Sequence, residues 1–137
     1  MIREVEVVCA SILNDNHEFL LCERGPNKEF SNLFEFPGGK VEENETHIEA
    51  LKREIKEELL CDIDVSDYFT TIKHTYTKTS INKEITINLH AYFAKLKDKA
   101  PTLTEHQSLV WTDSKNALNL NLAYADRLTV KELIQKM

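Results

Sequence analysis

Apolar positions along this chain recur with two different periods. Residues 5–13 are dense in valine and isoleucine and end at Asn14-Asp15-Asn16, and residues 18–24 repeat that texture, so the sequence predicts two strands joined as an early hairpin. Residues 25–32 read as a loop. Residues 33–36 read as a short extended piece leading into a turn at Pro37-Gly38-Gly39. From Thr46 the period changes. Ile48, Leu51, Ile55 and Leu59 fall at helical spacing on one stripe, and Thr46-His47-Ile48-Glu49 matches a capping box, so a helix is predicted over residues 46–59.

A period of two returns over residues 69–77 and 84–94. In the second run Ile85, Ile87, Leu89, Ala91 and Phe93 alternate with polar residues, as a half-buried strand requires, and residues 80–83 would close a hairpin between the two. Residues 95–107 read as a loop, 109–112 as a short strand and 114–118 as a short helix. A last helix is predicted from about Ala125, with Val130, Leu133, Ile134 and Met137 on its apolar stripe. Strands interleaved with two substantial helices predict an α/β protein, an α/β/α sandwich around a mixed sheet.

The chemistry concentrates on the helix at 46–59. Glu54, Glu57 and Glu58 sit at i, i+3 and i+4, so they share a second face beside the apolar stripe. Like charges at that spacing repel unless a cation lies among them, and Mg2+ binds through a few carboxylates together with water and substrate phosphates. On charge patterning alone, the run EIKEE reads as a solvated acidic face. Gly38-Gly39, Glu45 and Arg53 at their spacing from it turn the reading toward a metal site.

Composition narrows the partners. A length of 137 residues suits one domain with a real core, with no repeat or low-complexity tract. The net charge of -6, from 23 acidic and 17 basic residues, argues against a general polyanion binder, so phosphate groups must be met locally. Cys9, Cys22 and Cys61 are odd in number and form no CxxC pair, which points to reduced thiols and away from disulfides or zinc. Neither a signal pattern nor a membrane-length apolar run is present, and a cytoplasmic setting is expected.

Gly39, Glu45, Arg53, Glu54, Ile55, Glu57 and Glu58 together resemble the box of the Nudix hydrolase family, from which only the late glycine is missing, replaced by Leu60. The run FEFPGGKVEENET is similar to the start of the box in MutT-type members, and EHQSLVW followed by LAYAD looks closer to the CTP pyrophosphohydrolase branch. The resemblance implies a Nudix-type sandwich over residues 1–137. It implies a divalent cation, Mg2+ or Mn2+, held by the Gly38 carbonyl and by Glu54, Glu57, Glu58 and Glu105. In this picture Arg53 orients the catalytic carboxylates, Glu45 supports the loop-helix geometry, and Glu54 or Glu105 is the general base. His106, beside Glu105, is left out as an ordinary loop residue.

Arg24 matches an arginine that meets substrate in MutT-type members, and Phe36, Tyr124 and Asp126 are candidates for the nucleobase pocket. Phe36 is equally a core residue and Asp126 equally the N-cap of the last helix. The implied reaction is hydrolysis of (deoxy)nucleoside triphosphates, including oxidised ones, to monophosphate and pyrophosphate. ADP-ribose, a dinucleoside polyphosphate or a nucleotide-binding role without turnover are the alternatives. The expected partner is a small nucleotide, with no nucleic acid or membrane, for a monomer or a homodimer. Leu60 must either carry left-handed strain or end the helix by burying its side chain.

Overall fold

The computed structural model describes residues 2–28 and 30–136. Its order is β1 (Ile2–Ile12), β2 (Phe19–Glu23), β3 (Phe34–Glu35), β4 (Gly38–Lys40), α1 (His47–Leu59), β5 (Ile63–Lys78), β6 (Lys83–Leu96), β7 (Ser108–Thr112), α2 (Ser114–Ala117) and α3 (Tyr124–Lys136). The strands form a mixed four-stranded sheet, β4-β1-β6-β5, and an antiparallel three-stranded sheet, β3-β2-β7. β1 and β6 run parallel, with Val8 opposite His90 and Ala10 opposite Tyr92.

Period-two alternation builds the layers. Val8, Ala10 and Ile12 of β1 and Leu20 and Cys22 of β2 join Leu51, Ile55 and Leu59 of α1 in one core. Their neighbours Cys9, Phe19 and Leu21 face the other way and pack with Leu89, Ala91, Val130 and Leu133 under α2 and α3. Two strands with apolar residues on both faces thus require a helix on each side, which is the α/β/α sandwich. The three cysteines are buried and free, and burial pushes the Cys22 thiol well above its ordinary range.

Four local expectations are corrected. β1 and β2 belong to different sheets, because β1 is paired with β4 and, along its length, with β6, and β2 with β3 and β7. The expected hairpin is reduced to an isolated Leu13–Phe19 bridge beside the Asn14 amide, which donates to the Glu18 carbonyl at 2.9 Å. Gly38 and Gly39 form strand β4 against β1 and not a turn. Ile48 faces solvent, and Ala50 completes the buried stripe of α1 with Leu51, Ile55 and Leu59. In α3, Val130 and Leu133 are buried, Ile134 is half exposed, and Met137 lies outside the described residues. No described helix is long and apolar enough to cross a membrane.

Candidate active site

The position of α1 follows from its start. Thr46 has extended backbone, its hydroxyl accepts the Glu49 amide (3.1 Å), and the Glu49 carboxylate accepts the Thr46 amide (2.9 Å). One residue upstream, Glu45 accepts the Glu42 amide at 2.9 Å. With Leu51, Ile55 and Leu59 pressed into the core, Arg53, Glu54 and Glu58 come round to the edge that meets β4.

The paired glycines let β4 lie close to β1 on one side and to α1 on the other. Gly38 has φ 153°, and a Cβ there would run into the Val8 carbonyl oxygen. A Cβ on Gly39 would occupy the space filled by the Glu54 carboxylate. The Gly38 amide donates to Glu58 Oε1 at 3.0 Å. Arg53 gathers the remaining carboxylates: Nε and Nη2 reach Glu45 at 2.7 and 3.0 Å, Nη1 reaches Glu54 at 2.9 Å and Glu57 at 3.5 Å, and Nη2 also meets the Lys40 carbonyl at 3.0 Å.

These placements perturb the acids unequally. The Arg53 hydrogen bonds hold Glu45 down at about pH 2. Burial raises Glu54 despite Arg53. Burial also pushes Glu58 up to about 8, with Glu35 and Glu54 adding to the effect and His106 and the Gly38 amide opposing it. Glu57 is mostly exposed. Among the described residues no three acidic, histidine or cysteine side chains converge as a ready-made cage, since Arg53 draws Glu54 and Glu57 one way and the Gly38 amide draws Glu58 another. The donor set still fits a hard divalent cation that takes one or two carboxylates and fills its other positions from substrate. Burial is the main cause of the raised values at Glu58 and Glu54, so without a cation beside them both carboxyls favour the protonated form.

The segment after β6 closes the far end of α1. The Thr102 amide donates to the Leu59 carbonyl at 2.7 Å, and the Thr104 hydroxyl donates to the Glu58 and Glu57 carbonyls at 2.9 and 3.1 Å. Leu60, at the position of the missing glycine, is left-handed (φ 52°, ψ 37°) and 44 % exposed, so it carries the strain and does not end the helix by burial. The tether at Thr104 delivers Glu105 to a polar cleft of about 130 Å³ shared with Arg24, Lys28, Glu35, Glu58 and His106. Glu105 itself is 64 % exposed and lies 3.9 Å from Lys28.

His106 is not an ordinary loop residue. It is buried, its Nε2 lies 2.9 Å from Glu35 Oε2, and its Nδ1 is buried without a hydrogen-bond partner. Glu35 also receives Arg24 Nη1 at 3.2 and 3.3 Å. Sequence reasoning missed both His106 and Glu35. The one signal for Glu35 was a charge placed between Phe34 and Phe36 in a short extended run.

A larger cavity of about 670 Å³ adjoins this cleft and shares Arg24, Glu35 and Glu58 with it. Arg24, Phe36, Gly38, Tyr124 and Asp126 all lie on its wall, while Glu54, Glu57 and Glu105 do not. Phe36 is 3 % exposed and packs on Phe19 (centroids 5.4 Å apart), so it is a core residue that only reaches the wall. Asp126 is no N-cap. It lies inside the first turn of α3, where it accepts the Phe36 amide at 2.9 Å. Burial, with Glu35 nearby, pushes its carboxyl up to about 8.

Comparison with known proteins identifies relatives of the chain. The CTP pyrophosphohydrolase of Escherichia coli K12 is 36 % identical over 124 residues, spanning 90 % of this chain and 87 % of that protein. The 8-oxo-dGTP diphosphatase of the same organism is 35 % identical over 57 residues, 42 % of this chain and 44 % of its own. The solution structure of a MutT protein from methicillin-resistant Staphylococcus aureus superposes with a TM-score of 0.72, at 37 % identity and full coverage of both chains. The model of the NUDIX domain matches residues 3–133, nearly everything from β1 to α3, and on that match the chain belongs to the Nudix family.

Proposed function

We propose that the protein is a nucleoside triphosphate pyrophosphohydrolase that takes (deoxy)nucleoside triphosphates, oxidised ones included, to the monophosphate and pyrophosphate. The observation that carries this reading is the shared wall of the two cavities. Arg24, Glu35 and Glu58 border both the small polar cleft at the end of α1 and the large, partly apolar cavity, so one ligand can present phosphates to the first and a base to the second. The names of the relatives, a CTP pyrophosphohydrolase and an 8-oxo-dGTP diphosphatase, support the same substrate class.

Glu54, Glu57, Glu58 and Glu105, with the Gly38 carbonyl, are the groups that would hold Mg2+ or Mn2+. When bound, such an ion neutralises charge on the phosphate oxygens, which is most of what phosphoryl chemistry asks of a site. The chain's own residues do the rest. Arg53 fixes the carboxylates of α1 in place, and the Gly38 amide orients Glu58. Arg24 offers a cation to the phosphates. The water proton passes to Glu54 or to Glu105: burial behind Gly39 increases the proton affinity of Glu54, and exposure lets Glu105 swing onto a water. A cytoplasmic setting, where nucleoside triphosphates are made and used, fits this reading.

The test is a panel of ordinary and oxidised nucleoside triphosphates, ADP-ribose and dinucleoside polyphosphates with Mg2+, scored for the products formed. Monophosphate plus pyrophosphate from at least one triphosphate is expected. Turnover confined to ADP-ribose or dinucleoside polyphosphates, or binding with no turnover at all, overturns the proposal.

A further inference from the structure

The large cavity carries a row of aromatic rings that the catalytic reading does not use. Phe30 of the loop before β3 stands edge-on to Tyr76 of β5, with centroids 5.3 Å apart and planes at 77°. Tyr76 is followed by His74 on the same strand face (6.1 Å, 21°), and His74 by Tyr124 at the start of α3 (4.5 Å, 40°). All four rings border the same cavity. The two end rings are the open ones: Phe30 is 48 % exposed and Tyr124 58 %. An aromatic ring braced on one side and open on the other is a ready surface for a second flat ring.

Phe30 adds an independent signal. Its backbone is left-handed, φ 58°, a conformation costly for a bulky residue and left elsewhere in this chain mainly to asparagines. The cost is not offset by burying the ring, which is half in solvent. A strained backbone that holds an apolar ring out over a cavity points to use of that ring by a ligand.

We propose that Phe30 and Tyr124 are the stacking surfaces of the nucleobase subsite, with Tyr76 and His74 as positioning residues that brace them. The inference rests on the reading of the substrate as a nucleoside triphosphate. It deepens that reading in one respect. Every base has a π-face, so a subsite that grips by stacking accepts purines and pyrimidines alike, and breadth across bases follows from the rings. Discrimination among bases is then left to polar groups on the cavity wall, of which Asp126 is one.

The experiment uses the whole protein and measures binding apart from turnover: affinities of CMP, GMP and inorganic pyrophosphate by calorimetry, with melting temperature alongside. Phe30→Gly relieves the left-handed strain and removes the ring. The expected result is a melting temperature equal to or above wild type, with CMP and GMP each weakened roughly tenfold and pyrophosphate unchanged. Tyr124→Ala should weaken both monophosphates in the same way, again with pyrophosphate unchanged. If wild type binds CMP and GMP and Phe30→Gly binds them equally well, the stacking proposal is overturned and the triphosphate reading stands. If Phe30→Gly weakens pyrophosphate as much as the monophosphates, the ring holds the phosphate end together and the proposal is overturned. Should wild type bind no nucleotide while retaining its fold, the substrate reading fails and the subsite fails with it.

Discussion

Arg53 and Glu45 are joined by two hydrogen bonds, Nε to Oε2 at 2.7 Å and Nη2 to Oε1 at 3.0 Å, and that pair is what aims the guanidinium at Glu54 and Glu57. Glu45 lies just before the N-cap of α1 and Arg53 two turns in, so the pair also ties the loop to the helix. Glu45→Gln breaks the fork and frees Arg53 to rotate. Turnover should fall at least tenfold with a smaller change in KM, as measured by steady-state kinetics. The pair also has a pH signature. The folded carboxyl titrates at about 2 against an ordinary 4.5. Its stabilisation is therefore complete above the ordinary value and is lost as pH falls from about 4.5 toward 2. Acid unfolding followed by circular dichroism should show a shallower loss over that window in Glu45→Gln than in wild type.

Glu57 offers the cleanest test of the cation. It is exposed, so Glu57→Gln removes charge without disturbing the core. Turnover should drop by orders of magnitude while the melting temperature stays level or rises, because repulsion along α1 is relieved. Excess EDTA should abolish activity in wild type. Retained activity in the variant excludes Glu57 from the mechanism, and retained activity in EDTA excludes the divalent cation.

Glu105 is held at the cleft between two tethers, the Thr104 hydroxyl on the end of α1 and the Gln107 backbone amide on the Glu23 carbonyl. Glu105→Gln should lower kcat more than it changes KM, as expected for a group that acts in the transition state. A change confined to KM would make it a binding residue.

Asp126 is held protonated by its surroundings up to about pH 8, against an ordinary carboxyl value of 3.8. A raised value means that the contribution of this group to stability is full at low pH and is lost as pH rises through about 8. Asp126→Asn keeps an acceptor for the Phe36 amide and removes the titration. Thermal melts between pH 6 and 9 should be flatter for the variant than for wild type. The ratio of kcat/KM for CTP over GTP should shift as well; an unchanged ratio would confine Asp126 to its structural bond.

Leu60→Gly should stabilise the protein. The left-handed backbone costs a residue with a Cβ roughly 1 to 2 kcal/mol, and the exposed leucine side chain returns little of it. Allowing for the entropy of glycine in the unfolded chain, a melting temperature higher by about 2 to 4 °C is expected. Activity should be unchanged, since the carboxylates of α1 lie upstream of it and Thr102 and Thr104 already satisfy the free carbonyls at its end. A clear loss in melting temperature would mean that Leu60 packs in solution.

Local chemistry was legible before folding. The capping box at Thr46 and Glu49, the stripe through Leu51, Ile55 and Leu59, and the alternation in β6 all follow from intervals of four residues or fewer, where spacing alone dictates which side chains meet. The same short range explains the misreadings. Ile48 has the right spacing for the stripe, yet in the first turn of α1 it is exposed, and no local rule states at which turn a helix begins to be covered. The strands at residues 2–12 and 19–23 look like a hairpin in sequence, but partners far along the chain, β6 for the first and β7 for the second, take them into different sheets.

By itself, the sequence determined the acidic helix face, the start of that helix and, through the spacing of Gly39, Glu45, Arg53, Glu54, Glu57 and Glu58, the family. Tertiary structure alone decided which groups share a cavity. Glu35 and His106 lie 71 positions apart with no motif joining them, and only the pairing of β2 with β3 on one side and β7 on the other brings them to 2.9 Å. Phe30, Tyr76, His74 and Tyr124 come from a loop, a strand and a helix, and become one aromatic row only because β5 lines the cavity between the other two. Short-range periodicity fixes which face a residue occupies. Which faces meet depends on how long-range packing resolves two competing cores, and no interval in the chain encodes that.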